Sequence, residues 1–470
     1  MASDIVSKVD RRWYMLIFVM LLEACRIGQV AFMSIVTDPI KSEFNLSDSG
    51  TAFIVSFIYA IVAIFSAIPL GIVADRGNRT KLIVASGFLF SLFFAAPILA
   101  SSYFLLLISR IGVGLGHAGM MPLKMSFLAD KFGARDRATA FMLLPIGGSA
   151  GAWAAIAGGG YLTDLYSWRF AMFVLGMTSL AVTIGSWMVL REPERGGLDG
   201  IPVANRKSLG FLATMTFAMR QRSVRHCVIG CIVINFWIYG MAWWLAPFLT
   251  RSFGISVAKA SALLGAVHGT VGVAAVIITF FILDKIGKDD PVKPLWFLTI
   301  ASAILTVPAV IMAFTHSLTV AMIMMWLFLP MGYIYIGPVY AAVSTGVLPD
   351  MRGQVSAVMG MVSGIASTAI APMTIGFISD LVAPRISNPL DSVRYALLPI
   401  ALTGLWAALH FWLASKYVKE DQLRVATHDD HESPNALDRS RWQYSSTTNH
   451  PEPTSIFTKL ARLRFFTVRR

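Results

Sequence analysis

The chain has 470 residues, of which 56% are hydrophobic and only 14% are charged, and its formal net charge is +13. A soluble domain carries about 25% charged residues, so this composition, with a mean hydropathy of +0.67, excludes an ordinary soluble protein. The basic residues cluster in alternate loops and in the C-terminal segment, which is typical of a membrane protein and not of a nucleic-acid-binding protein. The long, continuous apolar runs predict an all-α integral membrane protein.

About twelve apolar runs are long enough to cross a bilayer, which takes roughly 20 residues. The first run ends near Val36, where Asp38-Pro39 is expected to stop the helix and open an outer loop with Lys41 and Glu43. In the first half the predicted spans are 13–36, 51–73, 82–100, 103–128, 138–161 and a sixth that ends at Leu190. The fifth is rich in glycine, which predicts close helix packing.

A basic, hydrophilic segment, 191–225, is interpreted as a cytoplasmic linker to six further spans. These are predicted at 226–249, 257–283, 295–314, 318–347, 353–378 and 393–417. The expected domains are a cytoplasmic N-terminus at 1–12, six-helix bundles at 13–190 and 226–417, and a cytoplasmic tail at 418–470. The end of the tail, 456–466, fits either a short basic helix on the inner leaflet or a disordered segment.

The loop between the second and third spans is short and polar, with Gly71, Asp75, Arg76, Arg79 and Lys81 at characteristic spacing. Basic loops stay on the cytoplasmic side, which places this loop and both termini inside. The pattern resembles the loop between helices 2 and 3 of the major facilitator superfamily of secondary transporters. The usual second glycine falls one position early.

The two halves are related in sequence. Residues 135–140 open span 5 as residues 350–355 open span 11, and both spans end in an Asp-Leu pair, at Asp164 and Asp380. The resembling superfamily is built from two six-helix halves that meet around a central site. The resemblance therefore implies about twelve transmembrane helices in two pseudo-symmetric bundles.

Further motifs occur along the first half. Arg110, Gly114 and Gly116 match the helix-four motif of the superfamily. The other matching segments are 38–41, 46–48 and 191–196. Together they resemble the spinster-like branch, with the organic anion:cation symporters as near relatives. The resemblance covers most of 13–196 and is weaker afterwards.

Two departures concern the acids that are proposed as proton sites in that branch. Gln29 and Val30 stand where the branch has Asp-Arg in helix 1, and His117 stands where it has Glu in helix 4. Glu23 and Arg26, about one turn earlier, are candidates to replace the first pair. An unperturbed imidazole titrates near neutral pH, so His117 is a candidate to replace the second acid.

Ionisable residues inside a span are costly and usually face a cavity or a partner. Glu23 and Arg26 lie three residues apart in span 1, and Arg110, His117 and Lys124 recur every seven residues on one face of span 4. The resemblance implies that helices 1, 4, 7 and 10 line the cavity. The candidate substrate-binding or proton-coupling residues are Glu23, Arg26, Gln29, His117, Lys124, Asn235, Tyr239, Trp243, His268 and Tyr333.

Each candidate also has a structural interpretation. Arg26 either attracts an anionic substrate or neutralises Glu23, and Lys124 either faces the cavity or extends to the interface. His268 is interpreted as a packing residue, and the aromatic residues fit either cavity wall or core. The residues expected to be structural are Arg110, Gly114 and Gly116.

The loop charges have a gating interpretation. The resemblance implies that Asp75 faces the N-terminus of helix 11, where the helix dipole is positive, and that Arg79 pairs with Asp130. Asp284 and Lys285, which end span 8, are expected to make the corresponding gating contacts across the other half. The predicted gating set is Asp75, Arg76, Arg79, Asp130, Asp284 and Lys285; the alternative is a set of solvated charges that only fix topology.

These observations predict a secondary active transporter of the inner (plasma) membrane, working as a monomer by alternating access. The expected partners are a small, anionic organic solute, a proton and the bilayer, with symport as the mode. The alternatives are a proton-coupled efflux antiporter for lipophilic compounds and a non-transporting solute sensor. No phosphate-binding loop or catalytic constellation is found in the sequence, so no enzyme activity, cofactor or metal is predicted.

Overall fold

The structure is a computed structural model that describes residues 2–193, 210–286, 290–348 and 350–432. It contains 12 helical segments long and apolar enough to cross a membrane. Spans 1 to 6 are Arg12–Phe32, Asp48–Gly71, Arg79–Leu99, Tyr103–Lys131, Thr139–Leu165 and Trp168–Val189. Spans 7 to 12 are Arg222–Phe253, Val257–Leu283, Val292–Phe314, Leu318–Thr345, Arg352–Arg385 and Pro389–Thr427. The predicted all-α, twelve-span fold is confirmed.

The individual helices show where the spans are interrupted. In the first half the α-helices are Ala2–Phe32, Thr37–Phe44, Asp48–Ala52, Ile58–Arg76, Arg79–Ala95, Tyr103–His117, Met120–Lys131, Ala134–Leu165 and Trp168–Val189. In the second they are Phe211–Arg220, Arg222–Phe253, Val257–Ile286, Val292–Phe314, Leu318–Phe328, Met331–Ile334, Ile336–Thr345, Arg352–Gly364, Ala371–Val382 and Ser392–Glu432. Single π-helical stretches, Phe53–Phe57 and Ile365–Ile370, lie within spans 2 and 11 and pack against each other.

Several predicted boundaries are wrong. Span 1 ends at Phe32 rather than Val36, and the expected outer loop contains the helix Thr37–Phe44, whose first turn accommodates Pro39. Span 7 begins at Arg222, inside the segment interpreted as the linker, and a separate helix, Phe211–Arg220, precedes it. Residues 194–209 of that linker lie outside the described residues.

Residues 1–422 form one compact unit, and the residues from 423 onward form a second. Of the second unit the structure describes only 423–432, which are helical, so the last helix continues beyond the predicted end of span 12. The basic segment 456–466 lies outside the described part of the chain.

Glycines let the helix of span 5 approach its neighbouring helices closely. A Cβ on Gly151 would lie 2.1 Å from the carbonyl oxygen of Ala24 in span 1, and one on Gly160 would lie 1.9 Å from the hydroxyl of Ser261 in span 8. Span 5 thus packs tightly against a helix of its own half and a helix of the other. The predicted close packing is confirmed.

Candidate functional site

The ends of the spans form two polar regions on opposite sides of the apolar segments. We name them by one residue each. At the Arg79 end, Arg79 at the start of span 3 bonds to Asp130 at the end of span 4 and to Glu192, which follows span 6. At the Arg251 end, the end of span 7 meets Asp38 after span 1 and Asp48 at the start of span 2.

The most unusual feature between these ends is a buried group of charges in the first half, the Glu23 cluster. Glu23 is only 4% exposed and Lys124 is fully buried. Arg26 donates two hydrogen bonds to the Glu23 carboxylate, one from Nε at 2.9 Å and one from Nη2. Lys124 donates to Glu23 Oε2 from span 4. One carboxylate therefore joins two cations, and Lys124 does not extend to the interface.

His117 continues the cluster on the other side of Arg26. Its Nε2 lies 3.1 Å from Arg26 Nη1, and its Nδ1 lies 2.8 Å from the hydroxyl of Tyr59. A guanidinium can only donate, so Nε2 accepts, and the imidazole is neutral with its proton on Nδ1 towards Tyr59. Protonation of His117 would therefore break its contact with Arg26.

Arg110 supplies a third cation. It is 1% exposed, its Nη2 donates to the carbonyl of Val55 at 3.0 Å, and its guanidinium lies 5.2 Å from the centroid of the Tyr59 ring. Its Nε and Nη1 are buried and have no hydrogen-bond partner among the residues that the structure describes. The carbonyl contact is the one expected of a structural arginine, but the charge has no carboxylate partner in the described residues.

Two glycines of span 4 bring these groups together. A Cβ on Gly114 would lie 2.8 Å from the carbonyl oxygen of Tyr59, and one on Gly116 would lie 2.4 Å from the amide nitrogen of Phe90. Only glycine permits both approaches, which hold spans 2 and 3 against span 4 beside His117.

A cavity of about 420 Å³ opens beside the cluster, between spans 2, 4 and 11. His117 and Tyr59 form part of its wall, and Thr368 of span 11 adds a hydroxyl from the other half. The rest of its lining is apolar: Ala60, Ala63, Ile64, Ala67, Ile68, Ala118, Pro122, Ala357, Met361 and Gly364. The cavity thus offers a polar end at His117 and an apolar body.

The second half contributes neutral polar groups instead of charges. Asn235 donates to the hydroxyl of Tyr335 at 2.9 Å and to the carbonyl of Cys231, and Ser363 lies 3.3 Å from the Cys231 sulfur. Tyr239 donates to the carbonyl of Gly332 in span 10. In the described residues no three His, Cys, Asp or Glu side chains group as metal ligands would.

The remaining candidates do not join the Glu23 cluster. Gln29 is 2% exposed and donates to the carbonyl of Leu175 in span 6, so it bonds to a neighbouring span instead. His268 bonds to the carbonyl of Leu264 in its own helix, and the ring of Tyr333 packs against Gly272. Trp243 is 8% exposed, and its indole nitrogen has no hydrogen-bond partner in the described part of the chain.

At the Arg79 end, the expected contact between Arg79 and Asp130 is present, at 2.5 Å. Arg79 also donates to Glu192 at 2.8 Å, and the Thr80 amide donates to the other Glu192 oxygen at 2.7 Å. Burial tends to raise the pKa of Glu192, but these hydrogen bonds outweigh it and lower the pKa. All these partners belong to the first half, so the contacts hold one bundle together and do not themselves join the halves.

The predicted gating set contains four further residues. The side chains of Asp75, Arg76 and Asp284 lie outside the described residues, and Lys285 is exposed at the end of span 8. Their gating role stays a prediction.

The described hydrogen bonds and ion pairs between the halves all lie at the Arg251 end. Arg251 reaches Asp38 Oδ1 from Nε at 3.0 Å and Asp48 Oδ2 from Nη1 at 2.9 Å. Its side chain is only 8% exposed. Thr250 donates to Asp38 and Ser379 of span 11 donates to Asp48, at 3.0 and 2.6 Å. We name this group the Arg251 cluster.

Asp380 completes the Arg251 cluster at the N-terminus of span 2. Its carboxylate accepts from the backbone amides of Asp48 and Ser49, at 2.8 and 2.9 Å, and from the Ser49 hydroxyl. A carboxylate is favoured at the positive end of a helix dipole, and here it comes from the other half. Sequence reasoning did not assign these residues to a site, because charges at span ends are common; the signals were the matching segments 38–41 and 46–48 and the Asp-Leu pair at Asp380.

Solved structures support this fold. The structure of a bacterial homologue of the human lysosomal transporter spinster, in an inward-facing and unoccupied conformation, superposes with a TM-score of 0.77. The two proteins are 23% identical, and the match covers 87% of this chain and 98% of the other.

Sequence relatives agree on the class of protein. An efflux pump of Mycolicibacterium smegmatis is 26% identical over 84% of this chain and 90% of its own length. Spinster homolog 1 of Xenopus tropicalis is 24% identical over 83% of this chain and 78% of its own length. A probable L-galactonate transporter of Escherichia coli is 23% identical over 74% of this chain and 79% of its own length. Residues 15–372 match the Major Facilitator Superfamily. With twelve spans in the arrangement described above, the chain is a multi-pass membrane transporter that belongs to this superfamily.

Proposed function

We propose that the protein carries a small organic anion across the membrane together with a proton, by alternating access. The observation that carries the proposal is the charge of the Glu23 cluster. Arg26 and the buried Lys124 both bind one carboxylate, Glu23, and the buried Arg110, which contacts Tyr59 beside them, has no carboxylate partner among the described residues. Buried charges are costly unless paired, so an anion that enters the cluster supplies charge that the protein lacks.

The cavity supports this reading. An anion seated at its polar end would approach His117 and Arg26, while an apolar or hydroxylated body would contact spans 2 and 11. Thr368 on the far wall belongs to the other half, so a bound solute would touch both halves. Such contact is what couples binding to movement of the halves.

Proton coupling follows from the double role of Glu23. In its ionised form Glu23 occupies Arg26 and Lys124 and so competes with a substrate carboxylate. A proton on Glu23 releases both cations, which raises the affinity for the anion, and by reciprocity a bound anion raises the affinity for the proton. His117 adds a second step, because only its neutral form accepts from Arg26.

We also propose the orientation. Arg12, Lys81, Arg191, Arg222 and Lys285 lie at the Arg79 end, and an excess of basic residues marks the cytoplasmic side. The Arg79 end and both termini would then be cytoplasmic, the membrane would be the inner (plasma) membrane, and the Arg251 cluster would close the outer side. Both halves lie in one chain, so a monomer suffices.

Counterflow in proteoliposomes tests the substrate class. The full-length protein is reconstituted, and labelled carboxylates and sugar acids are compared with their neutral amide and alcohol analogues. Exchange of anions but not of neutral analogues is expected, with loss in Arg26→Gln and Lys124→Gln and retention in Lys259→Gln, which removes an exposed cation outside the cluster. Exchange of neutral analogues at equal rates would contradict the proposal, and binding without exchange would favour a solute sensor.

A second candidate function is efflux of lipophilic compounds in exchange for protons. It is favoured by the likeness to the mycobacterial efflux pump and by the apolar lining of the cavity. Outward transport of a lipophilic cation driven by a proton gradient would establish this function. It would also contradict the anion proposal, because the cationic cluster should repel a cation.

A further inference from the structure

A second cavity, of about 450 Å³, lies at the Arg79 end between the start of span 3 and the end of span 6. It shares no lining residue with the cavity beside His117. Its wall contains Lys81, Phe88, Trp187 and Arg191. The proposed transport path leaves this cavity without a role.

The charged end of this cavity is positive and available. Lys81 and Arg191 are both exposed, and no carboxylate in the described residues forms an ion pair with either. Glu192 also lines the cavity, but Arg79 occupies one of its oxygens and the Thr80 amide the other. The two free cations are therefore the groups that a ligand would meet.

The other end is apolar and faces outward from the bundle. Trp187 is 64% exposed, and above it along the spans Leu92 and Ile184 are 53% and 37% exposed. Tryptophan is enriched where a span crosses from the hydrocarbon to the head groups. A ligand of this cavity must therefore match two cations at head-group depth and a continuous apolar surface beside them.

We infer that this cavity is a binding site for an anionic phospholipid, whose phosphate lies between Lys81 and Arg191 and whose acyl chain lies along Phe88 and Trp187. A phosphodiester with attached acyl chains is the ligand that meets both requirements, and cations near a membrane surface attract anionic lipids. The lipid is a resident ligand of the first half and not the transported solute, because the site lies apart from the Glu23 cluster.

Lipid retention tests the inference. The full-length protein in neutral detergent is titrated with phosphatidylglycerol, phosphatidylcholine or inorganic phosphate, and binding is followed by native mass spectrometry and thermal unfolding. We expect phosphatidylglycerol to bind and to raise the melting temperature, with little effect of the other two. Lys81→Gln/Arg191→Gln should weaken its binding about twenty-five-fold, since each cation near the surface contributes on the order of a factor of five.

The matched control is Lys285→Gln/Lys293→Gln, which removes two exposed cations of the second half and changes the net charge equally. It should leave the high-affinity lipid in place, and Trp187→Ala should weaken binding without a change of charge. Equal effects of the two double variants, equal binding of phosphatidylcholine, or an equal response to inorganic phosphate would each overturn the inference. Transport by Lys81→Gln/Arg191→Gln is expected to persist, so the lipid-binding result is independent of the proposed substrate.

Discussion

Glu23 is the residue on which the proposed coupling depends, because a single carboxylate neutralises Arg26 and Lys124. The sequence indicated Glu23, Arg26, His117 and Lys124, since charges within a span are rare and conspicuous. It did not indicate Tyr59, whose hydroxyl accepts the hydrogen bond from His117 Nδ1, because a tyrosine in an apolar run carries no comparable signal.

Glu23→Gln separates exchange from coupling. The amide mimics the protonated acid and leaves Arg26 and Lys124 free for an anion, so counterflow of the substrate should be retained. Accumulation driven by a pH gradient should fall to the level of empty liposomes, because no proton is bound or released at this position. If accumulation persists in Glu23→Gln and also in His117→Ala, the assignment of the coupling sites is wrong.

Glu192 predicts a dependence of stability on pH. Its pKa is lowered in the folded protein, so it stabilises the fold above the unfolded carboxyl value of about 4.3, and the stabilisation is lost as the pH falls through the lowered folded value. In detergent, Glu192→Gln should lower the melting temperature by a few degrees at pH 7. Between pH 5 and pH 3 the melting temperature of the variant should fall less than that of the wild type. Parallel curves of melting temperature against pH would contradict this account.

Among the elements, span 5 is the one that touches both halves most closely. Its glycine content predicted close packing, but only the coordinates distinguish glycines at a contact from glycines at a free surface. Gly151 lies against the backbone of span 1, whereas a Cβ on Gly158 would meet nothing within 4 Å.

Gly151→Ala should therefore destabilise the protein by about 1–3 kcal/mol, as overpacking commonly does. Gly158→Ala is the matched control in the same helix and should change the stability by less than about 1 kcal/mol. Unfolding in detergent, followed by circular dichroism, measures both. Equal melting temperatures of the two variants would mean that spans 1 and 5 can separate without cost.

In the whole molecule, the described polar contacts between the halves are concentrated at the Arg251 end. The sequence predicted the twelve spans and the two bundles from hydropathy and from the internal repeat. It did not predict which end is closed, because Asp38, Asp48, Arg251 and Asp380 lie at span ends, where charges are ordinary. Their significance comes from partners more than 200 positions apart in the chain.

Arg251→Gln should weaken closure at this end. Spin labels on the exposed residues Ser42 and Lys259, in a variant without the three native cysteines, report the distance between the halves there. The distribution should shift to longer distances in Arg251→Gln. Lys41→Gln is the control, because Lys41 pairs with Asp48 within the first half. An unchanged distribution in Arg251→Gln would show that the cluster does not hold the halves together.

The proposed proton site at Glu23 also predicts how the carrier responds to membrane voltage. In the proposed cycle Glu23 takes up one proton and His117 returns to its neutral form, so a monovalent anion loaded with that proton adds no net charge, and the loaded and empty carriers hold the same formal charge. A transmembrane potential is worth about 2.3 kcal/mol per elementary charge per 100 mV, but it does no net work on such an electroneutral cycle. Potassium diffusion potentials set with valinomycin should therefore leave the final accumulation of a monocarboxylate unchanged, while a divalent anion should be driven out of the negative compartment.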